Sequence, residues 1–233
     1  MSETAAEHRG VAGNGLDFDS WVCPAPLLDS PTIVMGHGGG GVMSGELIEH
    51  LFLPAYGAAA EAGLGDSAIV DVAGVRLAFS TDSFVVRPMF FPGGSIGDLA
   101  VHGTVNDVAM SGATPLVLST AFILEEGLPL SELERVVESA CAAAARAGVP
   151  VVTGDTKVVG HGAADKLFVN TSGVGLLKPA AALSSARVEP GDAVLVSGTI
   201  GDHGVAILAC RQGLELDGEI ASDTAPLHEI AAA

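Results

Sequence analysis

Four side chains in this sequence are placed for chemistry: Asp82, Asp107, Asp155 and Lys157. Each aspartate is expected at a strand end or on a helix beside one, where a rigid backbone can present a carboxylate. Hard carboxylate oxygens are what Mg²⁺ takes, with water and substrate phosphates completing its shell. The chain has only three lysines, Lys157, Lys166 and Lys178. A scarce cation two residues from Asp155 points to an anionic ligand such as phosphate, and a plain ion pair between Asp155 and Lys157 is the alternative.

Two glycine-rich loops could supply further anion donors. His37-Gly38-Gly39-Gly40-Gly41 precedes a segment of helical spacing, Met43 to Tyr56. Backbone N–H groups of such a loop can converge on a phosphate at a helix N-terminus. A hinge is the competing reading, and His37 is either a phosphate donor or a loop histidine. Four glycines carry a large backbone entropy, so the loop is expected to be mobile without nucleotide. No Gly-Lys-Ser/Thr follows, which excludes a Walker A loop. The second loop, Gly198 to Gly204, contains Asp202 and His203 and leads into a helix, Val205 to Gln212. Together these features point to a Mg-nucleotide site without a P-loop.

The elements that must position these groups follow from periodicity. Val75 to Asp82 alternates as a strand, Pro115 to Leu124 and Leu167 to Leu177 read as long strands, and Val149 to Thr153 as a short buried strand. In that reading Thr153-Gly154 releases the chain into a loop that carries Asp155 and Lys157. Phe90 to Gly94 is expected to turn. Ile96 to Ala113 reads as a helix ended by Gly112, with Asp98, His102 and Asn106 in one polar stripe and Asp107 beside it. A solvated face accounts for Asp98 and accounts less well for Asn106-Asp107. Ser131 to Ala147 is the clearest helix, with a Ser131/Glu134 capping box and a stop at Gly148. Strands interleaved with two helices on one side describe an α+β layer. After a linker at Lys178, Glu189 to Asp192 is expected to turn and Ala193 to Ser197 to form a strand. The expected division is a mobile extension over 1–30, with Trp21 as a candidate anchor, a first domain over 31–178, and a second over 184–233 that looks incomplete.

Composition excludes several classes. A net charge of −18 with ten basic residues disfavours a nucleic-acid partner. Cys23, Cys141 and Cys210 are far apart and form no CxxC pair, which fits reduced thiols in the cytoplasm. Neither a signal peptide nor a membrane span is visible, so no membrane role is expected.

A set of motifs, in order along the chain, is more specific. It comprises His37-Gly-Gly-Gly-Gly41, Ser80-Thr-Asp-Ser-Phe-Val-Val86, Phe90-Phe-Pro-Gly-Gly94 and Gly103-Thr-Val-Asn-Asp-Val-Ala-Met110. Phe122-Ile-Leu-Glu-Glu-Gly127, Val152-Thr-Gly-Asp-Thr-Lys-Val-Val159 and Ser197-Gly-Thr-Ile-Gly-Asp-His-Gly204 follow. With these the sequence resembles the HypE family of carbamoyl dehydratases in NiFe-hydrogenase maturation. That family sits in the superfamily of aminoimidazole ribonucleotide synthetase, selenophosphate synthase and thiamine-phosphate kinase. The resemblance implies a sheet-and-helix N-terminal domain whose sheets pair into a dimeric β-barrel, followed by an α/β C-terminal domain. It implies that ATP with Mg²⁺ phosphorylates a carbamoyl group on a C-terminal cysteine, leaving a thiocyanate that supplies the cyanide ligand of the hydrogenase iron. Carried over by match, Asp82, Asp107 and Asp155 become Mg-ATP ligands and Lys157 the residue nearest the carbamoyl group, with Asp107 also counted as catalytic. His37 to Gly41 would close over the phosphates, and Asn106, Asp202 and His203 would line the site. The implied partners are a second copy of the chain, the carbamoyltransferase and the iron-scaffold maturation proteins. A homodimer is expected on physical grounds too, because two helices cover one sheet face and leave the other bare. The family's terminal cysteine tail is not found in these residues, so the chain reads as a fragment that lacks the substrate-bearing thiol and is inactive alone. Alternatives are an ATP-dependent small-molecule kinase or synthase on the same scaffold, and a non-catalytic partner-binding dimer module.

Overall fold

The computed structural model describes residues 32–56, 65–178, 183–214, 218 and 220–232. The expected N-terminal extension with Trp21, and Cys23, lie outside the described residues. Contacts divide the chain into two units, Met1–Glu61 and Ala62–Ala233.

In the first unit a 3-10 turn, Met35–Gly38, precedes α1 (Val42–Leu47), a π-helical turn (Ile48–Phe52) and α2 (Leu53–Tyr56). The helix expected from Met43 to Tyr56 is present, interrupted by that π turn. Pro54 accounts for the interruption. It has no N–H to give to the carbonyl one turn back, and its ring crowds that carbonyl. The Leu53 N–H accordingly reaches Ile48 O, five residues back.

The second unit is built on a five-stranded sheet. Its strands are β1 (Ala68–Val72), β2 (Val75–Phe84), β5 (Ala113–Glu125), β6 (Val151–Val159) and β7 (Leu167–Leu177), in the order β1-β2-β7-β5-β6. Two short strands, β3 (Phe90–Phe91) and β4 (Gly94–Ser95), make the expected Phe90 turn a small hairpin. β1 and β2 join through Ala73-Gly74, both at positive φ, the geometry a two-residue hairpin needs. β7 runs antiparallel to both β2 and β5, whereas β5 and β6 are parallel. The parallel pair needs a crossover, and α4 (Leu130–Ala147) supplies it.

α3 (Ile96–Met110) and α4 cover one face of the sheet. Ile96, Val101, Val105, Val108, Val136, Leu118 and Leu167 are fully buried between the layers. β7 shows why the sequence selects this face. Leu167, Val169, Thr171, Gly173, Gly175 and Leu177 are buried, while the residues between them are more exposed. The other face carries Thr81, Asn170 and Ser172, joined by side-chain hydrogen bonds, beside exposed Phe79, Ile123 and Leu176. Past the linker come α5 (Asp202–Gln212) and a short α6 (His228–Ala232). Among the described residues no helix is long and apolar enough to cross a membrane.

Four local expectations need correction. Val149 to Thr153 is not a buried strand that ends at Gly154. β6 continues to Val159 and is exposed along nearly its whole length, because it is an edge strand that no helix covers. The Ser131/Glu134 capping box does not form. The helix starts at Leu130 behind Pro129, whose carbonyl accepts from Glu132 N and Leu133 N, so Ser131 is already inside the first turn. Ala193 to Ser197 pairs with no strand among the described residues, and Val194 and Leu195 stand open to solvent. Asp98 does not lie on a solvated face. It accepts from Ser95 N and Oγ in a capping box and pairs with Arg146 Nη2 at 2.9 Å. The Glu189 to Asp192 turn and the helix stops at Gly112 and Gly148 are as expected.

The approach of α3 to β7 leaves no room for a side chain at Gly175. A Cβ there would collide with Val108 Cγ1 and lie 3.0 Å from Thr114 O. Gly175→Ala should lower stability by about 1–3 kcal/mol in urea unfolding. Gly204→Ala, in α5 with nothing within 4 Å, should be neutral or stabilising.

Candidate functional site

β2 and α3 place Asp82 and Asp107 together. On β2 the residues facing the helices are Ala78, Ser80, Asp82 and Phe84, so Asp82 points toward α3. It reaches the backbone there because α3 carries a glycine. A Cβ on Gly103 would meet the Phe84 ring at 2.8 Å and Asp82 Oδ2 at 3.7 Å. Asp107 follows one turn later and accepts a hydrogen bond from Ser80 Oγ at 3.1 Å. Ser80 Oγ also lies 2.9 Å from Asp66 O, which ties the turn just before β1 to the same corner.

The electrostatics of this corner are those of half-buried carboxyls whose charged form burial disfavours. Burial pushes the Asp107 carboxyl up to about 6; the Ser80 hydrogen bond opposes this, and the charges of Asp82 and Asp66 add to it. Burial also raises Asp82, against a backbone hydrogen bond from Ser83. A hard cation would reverse each of these penalties, so the donor set fits Mg²⁺. Among the described residues no three His, Cys, Asp or Glu side chains form a complete cage. That also fits Mg²⁺, which commonly takes one or two carboxylates and completes its shell with water and phosphate.

Asp155 and Lys157 lie elsewhere in this chain. They are inside β6, where Asp155 is in register with Ala121 and Lys157 with Ile123. Those β5 positions share the face of Asn170, turned away from α3. Three strand spacings separate β2 from β6, roughly 14 Å at ~4.8 Å each. The two side chains pair with each other, Nζ to Oδ2 at 3.1 Å, and both are largely exposed. The Lys157 hydrogen bond, with one from Thr156 N–H, holds the Asp155 carboxyl below its usual range. One copy of the chain therefore brings together Asp82 and Asp107, but not Asp155.

The remaining candidates divide by their contacts. In the first unit His37 is buried, and its Nδ1 accepts the Val34 N–H at 3.0 Å, which places the ring proton on Nε2. That Nε2 is buried without an acceptor among the described residues, a donor in want of one. Gly40 N donates to Ser44 Oγ, which donates in turn to His37 O at 2.9 Å, so Ser44 staples Gly38 to Gly41 onto α1. Asn106 does not face the carboxylates' cation position with free donors. Its Nδ2 donates to Ala225 O at 3.0 Å and its Oδ1 accepts from Leu227 N at 2.7 Å. Asp202 accepts from Thr199 Oγ1, and His203 Nδ1 meets Ser222 Oγ at 3.0 Å with its ring edge-on to Phe91.

Sequence reasoning missed Asp66 and the bridging role of Ser80. Ser80 was visible as the residue two before Asp82, on the same face of one strand. Asp66 had only a Gly-Asp turn before a strand as its signal.

Comparison with known proteins matches residues 64–177 to the AIR synthase related protein, N-terminal domain. The chain is 52% identical over 206 residues to carbamoyl dehydratase HypE of Cupriavidus necator, which covers 88% of this chain and 59% of that protein. A crystal structure of a HypE-HypF complex superposes with a TM-score of 0.74 at 49% identity, over 80% of this chain and 60% of the other. HypE in complex with ATP gives a TM-score of 0.66 at 52% identity, over 86% and 60%. The chain thus spans about 60% of the length of these relatives.

The raised Asp107 carboxyl has a signed consequence for stability. Its protonated form contributes stability that is fully present below about pH 3.8 and lost as pH rises through about 6. Asp107→Asn, neutral at every pH, should therefore melt higher than the parent at pH 7–8 without divalent cations. The gain should be on the order of 1 kcal/mol after solvent screening of a half-buried site, and should vanish at pH 4. Calorimetry across that range checks it.

Proposed function

From the membership of this chain in the HypE family, along the part of those proteins it spans, we propose that it is the nucleotide-binding portion of an ATP-dependent carbamoyl dehydratase. It serves hydrogenase maturation in the cytoplasm. The observation that carries the reading is the half-buried Asp82/Asp107 pair at the β2–α3 corner, both of whose carboxyls burial raises.

The reaction class explains what these residues are for. An amide oxygen is a poor leaving group. Transfer of the ATP γ-phosphoryl to the carbamoyl oxygen of a cysteine thiocarbamate makes it a good one. Loss of phosphate and of the two N–H protons then leaves the thiocyanate. Asp82 and Asp107 would hold Mg²⁺, which supplies charge neutralisation for the phosphates. Ser80 orients Asp107, and Asp66 adds negative potential at the same corner. His37, in the first unit, holds an Nε2–H donor with no acceptor among the described residues, a group suited to a phosphate oxygen. Lys157 supplies a cation for the reacting group, and its ion pair with Asp155 positions it.

Asp155 and Lys157 lie on the opposite face of the sheet from Asp82 and on the edge strand β6, which supports completing the set from a second copy. We propose a homodimer through the sheet face that α3 and α4 leave open, with its site completed across the interface. Phe79, Ile123 and Leu176 on that face would be buried by it. The carbamoyltransferase and iron-scaffold proteins are the proposed partners; the HypE-HypF complex among the structural matches supports a maturation partner.

Titration calorimetry with Mg-ATP tests the assignment. Asp107→Asn should weaken binding at least tenfold, since one hard ligand is gone, whereas Lys157→Ala should bind as the parent does. No binding by the parent chain would leave a non-catalytic module. Ile123→Lys, on the open face, should convert a dimer seen by sedimentation at micromolar concentration into a monomer and reduce ATP affinity with it. A monomer that binds ATP unchanged would refute the shared site.

A further inference from the structure

The polar stripe on α3 has a partner that the nucleotide reading does not use. Residues 220–232 run across the β3–β4 hairpin and over α3. Ser222 N donates to Pro92 O at 2.8 Å, and Leu227 N donates to Asn106 Oδ1 at 2.7 Å. Asn106 Nδ2 returns a bond to Ala225 O, so one amide side chain grips the segment in both directions, as a neighbouring strand would. A Cβ on Gly93 would lie 2.7 Å from Ser222 N, which shows how closely the segment approaches.

At the centre of this contact lies a histidine. His102 is 3% exposed, and its Nδ1 is 3.2 Å from Thr224 Oγ1. Its Nε2 is buried with no partner among the described residues, and the same holds for Nδ1 of His228 in α6. The charged and titratable groups facing the His102 ring are Asp98 on its own helix, Arg146 from α4 and His228 from α6. Asp98 cannot serve a new cation fully, because it already accepts from Ser95 and Arg146.

We propose that residues 220–232 form a pH-sensitive strap, held on α3 while His102 is neutral and released when that ring is protonated. A neutral ring needs one acceptor at most, and the Thr224 hydroxyl serves it. An imidazolium has two N–H donors, and its buried Nε2–H would find no acceptor among the described residues while the Arg146 charge repels it. Burial lowers the affinity of His102 for a proton, Arg146 and His228 lower it further, and Asp98 opposes them. The undocked strap returns the ring to water, where it titrates near 6.5. The docked state therefore binds fewer protons. Docking is at full strength above about pH 6.5 and weakens as pH falls below it, by up to about tenfold per pH unit. Release would uncover Asn106, the neighbour of Asp107, so the strap couples local acidity to the corner that holds the carboxylates. The strap is independent of the proposed activity and is tested without nucleotide.

Hydrogen exchange on the full chain between pH 5 and 8 decides it. Protection factors, corrected for intrinsic exchange, are read at the Ser222 and Leu227 amides, with β7 amides as the control for global unfolding. The expected result is constant protection above about pH 6.5, a fall of up to about tenfold per unit below it, and unchanged β7 protection. In His102→Asn strap protection should be lower and independent of pH. A flat wild-type profile, or an undiminished fall in His102→Asn, overturns the proposal. If that variant does not fold, the ring resonances of His102 in the unmodified chain decide instead. A charged ring while the strap amides remain protected is incompatible with the device, and a neutral ring until protection falls supports it.

Discussion

The close seating of α3 on β7 is the contact on which the rest of the second unit depends. Gly173 and Gly175 on the strand, opposite Thr104 and Val108 on the helix, let the two backbones come nearer than side chains would allow. Thr104 Oγ1 and Thr171 Oγ1 meet at 2.6 Å in the middle of this seam, and Thr171 also donates to Ala100 O, so the buried hydroxyls are satisfied locally. The helix is thereby fixed in height and rotation above the sheet. Asp107 can then stand over Ser80 and beside Asp82.

A second consequence of that seating is the division of labour along α3. The side that meets the sheet is Ile96, Ala100, Thr104 and Val108, whereas Asp98, His102 and Asn106 turn toward α4 and the chain's later residues. A helix so buried all round has little amphipathic character. Its polar groups are instead consumed one by one in specific contacts, as buried groups must be. Asp98 closes a helix cap and an ion pair, Asn106 grips a passing backbone, and Asp107 alone faces other anions. The charge strain of the unit is concentrated at this one residue and its neighbour Asp82.

The sheet shows the complementary economy. Its helix-covered face is a continuous core, whereas its other face mixes a hydroxyl and amide network with exposed apolar side chains. β6 lies at the rim of that sheet with its Asp155–Lys157 pair outside. In one copy of the chain the Asp82/Asp107 pair and the Asp155–Lys157 pair lie on opposite faces of this sheet.

The sequence by itself determined the order and type of most elements. Strands β2, β5 and β7, and helices α3 and α4, are legible because alternation and helical periodicity are enforced by one common core face. The glycine stops at Gly112 and Gly148 were legible because only a left-handed residue ends those helices without strain. The motifs also determined the family. Position in the sheet was not legible, and it decided the rest. Val149 to Thr153 is apolar enough to read as buried, yet it forms an uncovered edge, because strand order is set by non-local pairing that no local pattern encodes. Ala193 to Ser197 has a strand's composition and finds no partner strand among the described residues. Asn106 looked like a ligand-facing group, but residues more than a hundred positions later had already claimed both ends of its amide. Whether a polar side chain binds ligand or backbone depends on what the fold brings opposite it, and only the tertiary structure decides that.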